Sequence, residues 1–208
     1  DEKQIVLVIK NKVNKIDKVI YALQFSLDNP STFPILVTSN LEEIFADWEL
    51  VKNHIQEQLM APLPTNLSGF LKNAAKNVEF SPDNNKVFYL ATSSASLSLI
   101  ITPALIGSNP TQETRKIDPE KYYVYDIKED KNFYITDLKK GKEIYTPLWY
   151  YDSKHLLMIE NGSINIIDYD GTNKKAIYSG PFIDNIVYPW SSSGKIAILT
   201  NLNQPKAL

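Results

Sequence analysis

Two histidines, His54 and His155, are the side chains best suited to act as a general base, and a hydrolase needs that base beside an activated nucleophile. No Gly-x-Ser-x-Gly elbow accompanies either one; His54 lies in a stretch with helical periodicity and His155 opens an apolar strand. Both read as ordinary surface or strand residues. There is no cysteine, which removes thiol nucleophiles, zinc–thiolate sites, iron–sulfur clusters and disulfides together. A glycine-rich phosphate loop and a dinucleotide fingerprint are also absent from the sequence, so the expectation is a chain without catalytic residues and without a cofactor.

Carboxylates are plentiful, but Asp83, Asp126, Asp152, Asp168 and Asp170 fall at hairpin turns or strand ends. There an Asp side chain accepts hydrogen bonds from nearby backbone N–H groups, a structural task that needs no ligand. The run Asp168-Tyr169-Asp170-Gly171 has the opening of a calcium loop but lacks its further ligands and closing Glu, so no metal is expected. Two sequons, Asn66-Leu67-Ser68 and Asn161-Gly162-Ser163, read as chance occurrences, the second overlapping a β-turn.

Lys and Arg number 22 against 24 Asp and Glu, a net charge of −2 that supplies no field to draw the chain onto nucleic acid or an anionic bilayer. The basic group Lys139, Lys140 and Lys142 is diluted by Asp137 and Glu143 and reads as a solvated turn. The longest apolar runs, over 4–9 and 96–106, fall short of the ~20 residues that span a bilayer, so no membrane insertion is expected in this segment. The start at Asp1, without Met or an apolar leader, reads as a processed chain or an excised segment.

The elements that position these side chains announce themselves by repetition. With 12 Tyr and 8 Phe against 7 Gly, the 208 residues suggest aromatic-rich strands. Three stretches share one pattern: Val78 to Leu90, Leu148 to Ile159, and Tyr188 to Leu199. Each is a short strand with an aromatic, a polar turn of Ser, Pro, Asp, Asn or Gly, a Lys, and a second apolar strand. A further hairpin follows each of the first two copies, 121–127 with 132–137 around Lys128-Glu129-Asp130-Lys131, and 163–169 with 174–178 around Asp170-Gly171. Four strands per unit is the blade arithmetic of a β-propeller. Trp149 and Trp190 are spaced within the period of about 40 to 45 residues typical of such blades. Phe80 and Trp149 lie further apart, and the excess falls in the Pro-containing stretch Ser93 to Pro119, read as a long loop between the second and third strands of its blade.

The segments Phe80-Ser81-Pro82-Asp83, Trp149 to Lys154 and Trp190 to Lys195 resemble the aromatic-Ser-Pro-Asp-Gly-Lys hairpin of TolB-like propeller repeats. The second replaces Ser-Pro with Tyr150-Tyr151 and the third replaces Pro-Asp with Ser192-Ser193. The resemblance covers about residues 78 to 200 and implies a repeat type rather than a function. More loosely, the chain looks like the propeller region of bacterial envelope proteins that carry PEGA modules, which implies an extracytoplasmic or cell-surface location.

The fold expected is therefore all-β, a partial β-propeller of four-stranded antiparallel blades with a helical insertion. Residues 1–39 form an incomplete blade with strands over 4–9, 18–25 and 33–38, separated by Asn11 to Asp17 and Asp28 to Thr32. Residues 40–77 form the insertion, 78–138 a blade carrying the loop 93–119, 145–180 a second blade, and 186–208 the start of another. In the insertion Asn40 is a candidate N-cap, and Leu41, Ile44, Phe45, Trp48, Val51, Ile55 and Leu59 recur at helical spacing until Pro62 and Pro64. Asn66 is read as the cap of a shorter helix reaching about Ala75. The apolar helix face reads first as a cover for the propeller's side, and alternatively as a partner-binding face.

The function expected is a non-catalytic scaffold that recognises protein, peptide or glycan, with Phe45 and Trp48 on the helix and Leu105 and Ile106 on the loop as candidate partner-binding residues. The alternatives are a structural surface or assembly protein, and the accessory propeller of a larger enzyme such as a hydrolase. Open blade edges would also invite self-association.

Overall fold

The computed structural model describes residues 4–13, 16–26, 32–138, 146–183, 186–190 and 194–200. These residues are mostly strand, in several antiparallel sheets, with two α-helices. The chain divides into two compact units, Asp1–Gln58 and Leu59–Leu208.

In the first unit β1 (Gln4–Val13), β2 (Ile16–Ser26) and β3 (Ile35–Leu36) form a three-stranded sheet in that order. The register runs from Gln4 opposite Ser26 to Val13 opposite Ile16, with an irregularity between Ile9 and Lys10. Asn11 to Asp17 is thus largely paired strand rather than the loop expected, because ladder hydrogen bonds form beneath exposed polar residues such as Asn11 and Lys18 as readily as beneath apolar ones. β3 is shorter than expected, and Pro34, without an N–H, precedes it. Ala22, Val37 and Leu41 are buried here, with Val6, Val8, Val19 and Ile44 packed against them. A 3-10 turn, Thr38–Asn40, leads into α1 (Leu41–Met60), so Asn40 belongs to that turn.

The second unit takes the last residues of α1 and then α2 (Thr65–Ala74). Pro64 occupies the N-cap position of α2 with φ −54° and ψ 141°. Asn66, expected as the cap, lies inside the helix, where its Oδ1 accepts from the Leu67 amide at 2.9 Å. A four-stranded sheet follows, β4 (Ala75–Phe80), β5 (Lys86–Ala91), β8 (Lys121–Asp126) and β9 (Lys131–Asp137), hydrogen-bonded in that order. Within the long β5–β8 connection, β6 (Ala95–Ser96) and β7 (Lys116–Ile117) make a small ribbon. A second four-stranded sheet has the same sequential order, β10 (Leu148–Trp149), β11 (His155–Glu160), β12 (Ser163–Asp168) and β13 (Lys175–Tyr178). A pair, β14 (Val187–Pro189) and β15 (Ile196–Ile198), comes last among the described residues.

Alternation along the strands explains how these sheets stack. In β5, Val87, Tyr89 and Ala91 face one cluster with Leu67 and Leu71 of α2, while Phe88 and Leu90 face another with Trp149, Leu156, Met158 and Ile167 of the second sheet. Both faces are covered, which is why 86–91 reads as an unbroken apolar run after Lys86. In β11 the same alternation sends Leu157 and Ile159 to a third cluster with Val187, Ile196 and Ile198. Phe88 and Tyr122 stack at 5.2 Å between ring centroids, an arrangement worth about 0.5–1.5 kcal/mol beyond its buried area.

Candidate functional site

Three turns close in the same way. The Ser81 amide donates to the Lys86 carbonyl at 2.9 Å, the Tyr150 amide to His155 at 2.8 Å, and the Trp190 amide to Lys195 at 3.2 Å. Asn84 and Ser153, at matching places, both have left-handed backbone with φ of 57° and 59°. By this hydrogen-bond register Phe80 matches Trp149 and Pro189, and Lys86 matches His155 and Lys195. Aligning the repeats on Lys154 therefore places them one residue out of step. Trp149 lies in the core between the sheets and donates its indole N–H to the Glu79 carbonyl at 3.1 Å, whereas Trp190 is largely exposed.

The correction gives His155 a structural identity. Lys86 stands opposite Asp126 across β5 and β8, and His155 stands opposite Asp168 across β11 and β12. Each basic residue is also three positions after a turn aspartate: Lys86 Nζ is 3.9 Å from Asp83 Oδ2, and His155 Nδ1 is 2.6 Å from Asp152 Oδ2. The other ring nitrogen of His155 is 3.2 Å from Asp168 Oδ1. Each basic residue stands at one end of its sheet between a turn aspartate and a cross-strand aspartate, and among the described residues His155 is the one within ion-pair distance of both. His155 thus does more than the plain strand residue read from sequence.

Between these ends lies an open cleft of about 460 Å³, lined by Lys86, Asp126, Lys154, His155, Asp168 and Tyr169 together with Asn109, Lys128, Glu129 and Asp170. Lys86 Nζ sits 4.7 Å from the centroid of the Tyr169 ring, a cation–π contact joining the two sheets. Burial pushes the Asp126 carboxyl above its ordinary value, although the Glu129 and Lys128 amides donate to it and Lys86 is near. Burial opposes ionisation of Asp83 too, but donors from Asn85 and Ser81 with the charge of Lys86 bring it down to about 2. The Asp126, Asp152 and Asp170 carboxylates each accept backbone amides two or three residues on. Among the described residues no group of three or more His, Cys, Asp or Glu is disposed to hold a metal ion.

The β5–β8 connection is fastened along its length. Asn132, wholly buried on β9, donates Nδ2 to the Thr114 carbonyl at 2.8 Å, and its Oδ1 accepts the Tyr89 hydroxyl at 2.8 Å. Asp130, 2% exposed, receives the Ile100 and Ile101 amides on Oδ2 at 2.6 and 2.8 Å, and Arg115 Nη1 on Oδ1 at 3.1 Å. The Tyr125 hydroxyl also donates to Oδ1. Burial would raise the Asp130 carboxyl, but the hydrogen bonds from Tyr125, Ile101, Arg115 and Ile100 outweigh it and hold it below the usual carboxylate range. Asn109 fixes the connection's other limb: its amide donates to Glu129 Oε2 at 2.9 Å, and its Nδ2 donates to Tyr169 Oη and Asp170 Oδ2 of the second sheet at 3.0 and 2.8 Å.

Leu105 is 47% exposed and Ile106 fully so, at the projecting part of this connection. Phe45 and Trp48 are 44% and 36% exposed on α1, their ring centroids 6.0 Å apart, so the helix buries Leu41 and leaves these two partly open. Those two pairs lie on different units. His54 is paired with Gln58 on α1 at 3.0 Å. The basic group at 139–142 with Glu143, residues 28–31 of the expected loop Asp28 to Thr32, and the third turn's Ser191–Ser193 lie outside the described residues. Sequence reasoning missed Asp130, Arg115 and Asn109, since Lys128-Glu129-Asp130-Lys131 has the composition of any polar turn. The available signal was the long insertion itself, which needs buried polar anchors to be ordered.

No family model matches the sequence, and no curated protein matches it. Among solved structures, a putative TolB from Agrobacterium tumefaciens is similar at 15% identity and a TM-score of 0.33, over 94% of this chain and 50% of that one. The chain spans half the length of that structure. No helix among the described residues is long and apolar enough to cross a membrane.

Proposed function

We propose that this chain is a TolB-like β-propeller segment serving as a non-catalytic recognition scaffold for a protein, peptide or glycan, at a bacterial cell envelope. The propeller reading is supported by two four-stranded sheets in sequential strand order, packed face to face through Phe88, Leu90, Trp149 and Leu156, with equivalent turns and a basic residue opposite an aspartate at matching places.

One observation carries the recognition reading: the long connection is anchored by buried polar groups, yet it presents Leu105 and Ile106 to solvent. A protein exposes such residues on an ordered insertion at a cost in solubility, and interaction sites are where that cost is met. Capture from a bacterial envelope extract by the immobilised chain, compared with a Leu105→Ser/Ile106→Ser variant, tests it. The native chain should retain a defined partner that the variant loses; identical profiles would overturn the reading.

A further inference from the structure

We infer that Asp130 is the positioning residue of the recognition loop, holding residues 101–108 as a preformed tip. The inference rests on the recognition reading above and adds the device that makes it work. Asp130 comes from the β8–β9 turn, not from the loop, and has left-handed backbone with φ 53°. Its carboxylate is nearly inaccessible, and four of its hydrogen bonds converge from three directions: two consecutive loop amides, the Arg115 guanidinium and the Tyr125 hydroxyl. Arg115 also donates to the Asp130 carbonyl and to the Ser98 carbonyl, so one guanidinium clasps both limbs of the loop to the same turn.

The second foot is Asn109. It is held by Glu129, one residue before Asp130, and by Asp170 of the neighbouring sheet. Lys131, one residue after Asp130, donates to the Asn109 carbonyl. Three successive residues of one turn thus grip both ends of the segment that carries Leu105 and Ile106. A loop joined only at β5 and β8 would lose conformational freedom on meeting a partner, whereas a segment fixed at both feet has lost most of it on folding. The carboxylate is required for this geometry: an Asn in its place has one acceptor oxygen, which the two amides would share, and it turns an NH2 donor toward the Arg115 guanidinium, which is itself only a donor, so the clasp on the loop is broken.

The experiment is amide hydrogen exchange by NMR on the full chain, native and Asp130→Asn, with partner capture measured on the same samples. Exchange at Ile100 and Ile101 should accelerate by about tenfold or more, as expected for losing a charge-assisted bond. The β5 and β11 amides should keep their native rates, and capture should fall as it does in Leu105→Ser/Ile106→Ser. Unchanged exchange at Ile100 and Ile101, or equal acceleration throughout the strands, would overturn the inference. Faster loop exchange with undiminished capture would overturn the inference, since the fixing of the tip would then play no part in recognition; the recognition reading falls separately, if Leu105→Ser/Ile106→Ser captures the same partner as the native chain. If Asp130→Asn does not fold, Tyr125→Phe removes one bond from the carboxylate and keeps its charge; its loop amides should accelerate less, and their failure to change would count against the inference.

Discussion

His155 occupies in the second sheet the place that Lys86 occupies in the first, and its two ring nitrogens face Asp152 and Asp168. Nδ1 makes the shorter contact, with Asp152, and Nε2 lies 3.2 Å from Asp168 Oδ1. Lys86 offers an ammonium group at the equivalent position, 3.9 Å from Asp83 Oδ2 and across the strands from Asp126. His155→Lys should therefore unfold within about 0.5 kcal/mol of the native chain, while His155→Ala, which removes the neighbour that Asp152 and Asp168 share, should cost about 1 kcal/mol or more. Urea denaturation of the two variants distinguishes them. Equal losses in both would show that the position requires the imidazole ring itself, which a lysine does not replace.

At the scale of elements, the β12–β13 turn brings two sheets into backbone contact. Gly171 has φ +82°, and a Cβ added there would lie 2.4 Å from the Tyr134 carbonyl oxygen of β9. Gly162, in the β11–β12 turn, has φ +71° with nothing within 4 Å. Both turns pay a left-handed penalty on substitution by Ala, but only one forces sheets apart. Gly162→Ala should cost about 1 kcal/mol and Gly171→Ala about 2 kcal/mol or more, read as shifts in denaturation midpoint. Elements were legible in the sequence wherever both faces of a strand are buried or a turn carries Asp, Asn or Gly. The runs at 86–91 and 121–126 and the Asp170-Gly171 turn stand out for those reasons. The β1–β2 hairpin was less legible, because pairing continues past the apolar residues through Lys10 and Asn11. The repeat's register was misread by one residue because Lys154 imitates the lysine that His155 replaces. Asp130 was hidden for a different reason: its role lies in partners that are distant along the chain, Ile100, Ile101 and Arg115, and nothing in its own neighbourhood marks it.

For the molecule as a whole, the proposed propeller requires consecutive sheets to behave as one stack rather than as two independent meanders. Phe88, Tyr122 and Val124 of the first sheet share a core with Trp149, Leu156 and Met158 of the second, and the Asp83 amide donates to Ser153 Oγ at 2.9 Å between equivalent turns. A core held in common makes the sheets' opening cooperative, so damage on one side should be felt on the other. Trp149→Ala removes the largest side chain that the second sheet contributes and should cost about 3–5 kcal/mol. The most direct measurement is native-state hydrogen exchange against denaturant for the native chain and Trp149→Ala. If the two sheets share one core, amides of β5, β8, β11 and β12 merge into one opening transition, and the substitution lowers it equally in all four strands. Two separate transitions, with only β11 and β12 weakened by the substitution, would contradict it.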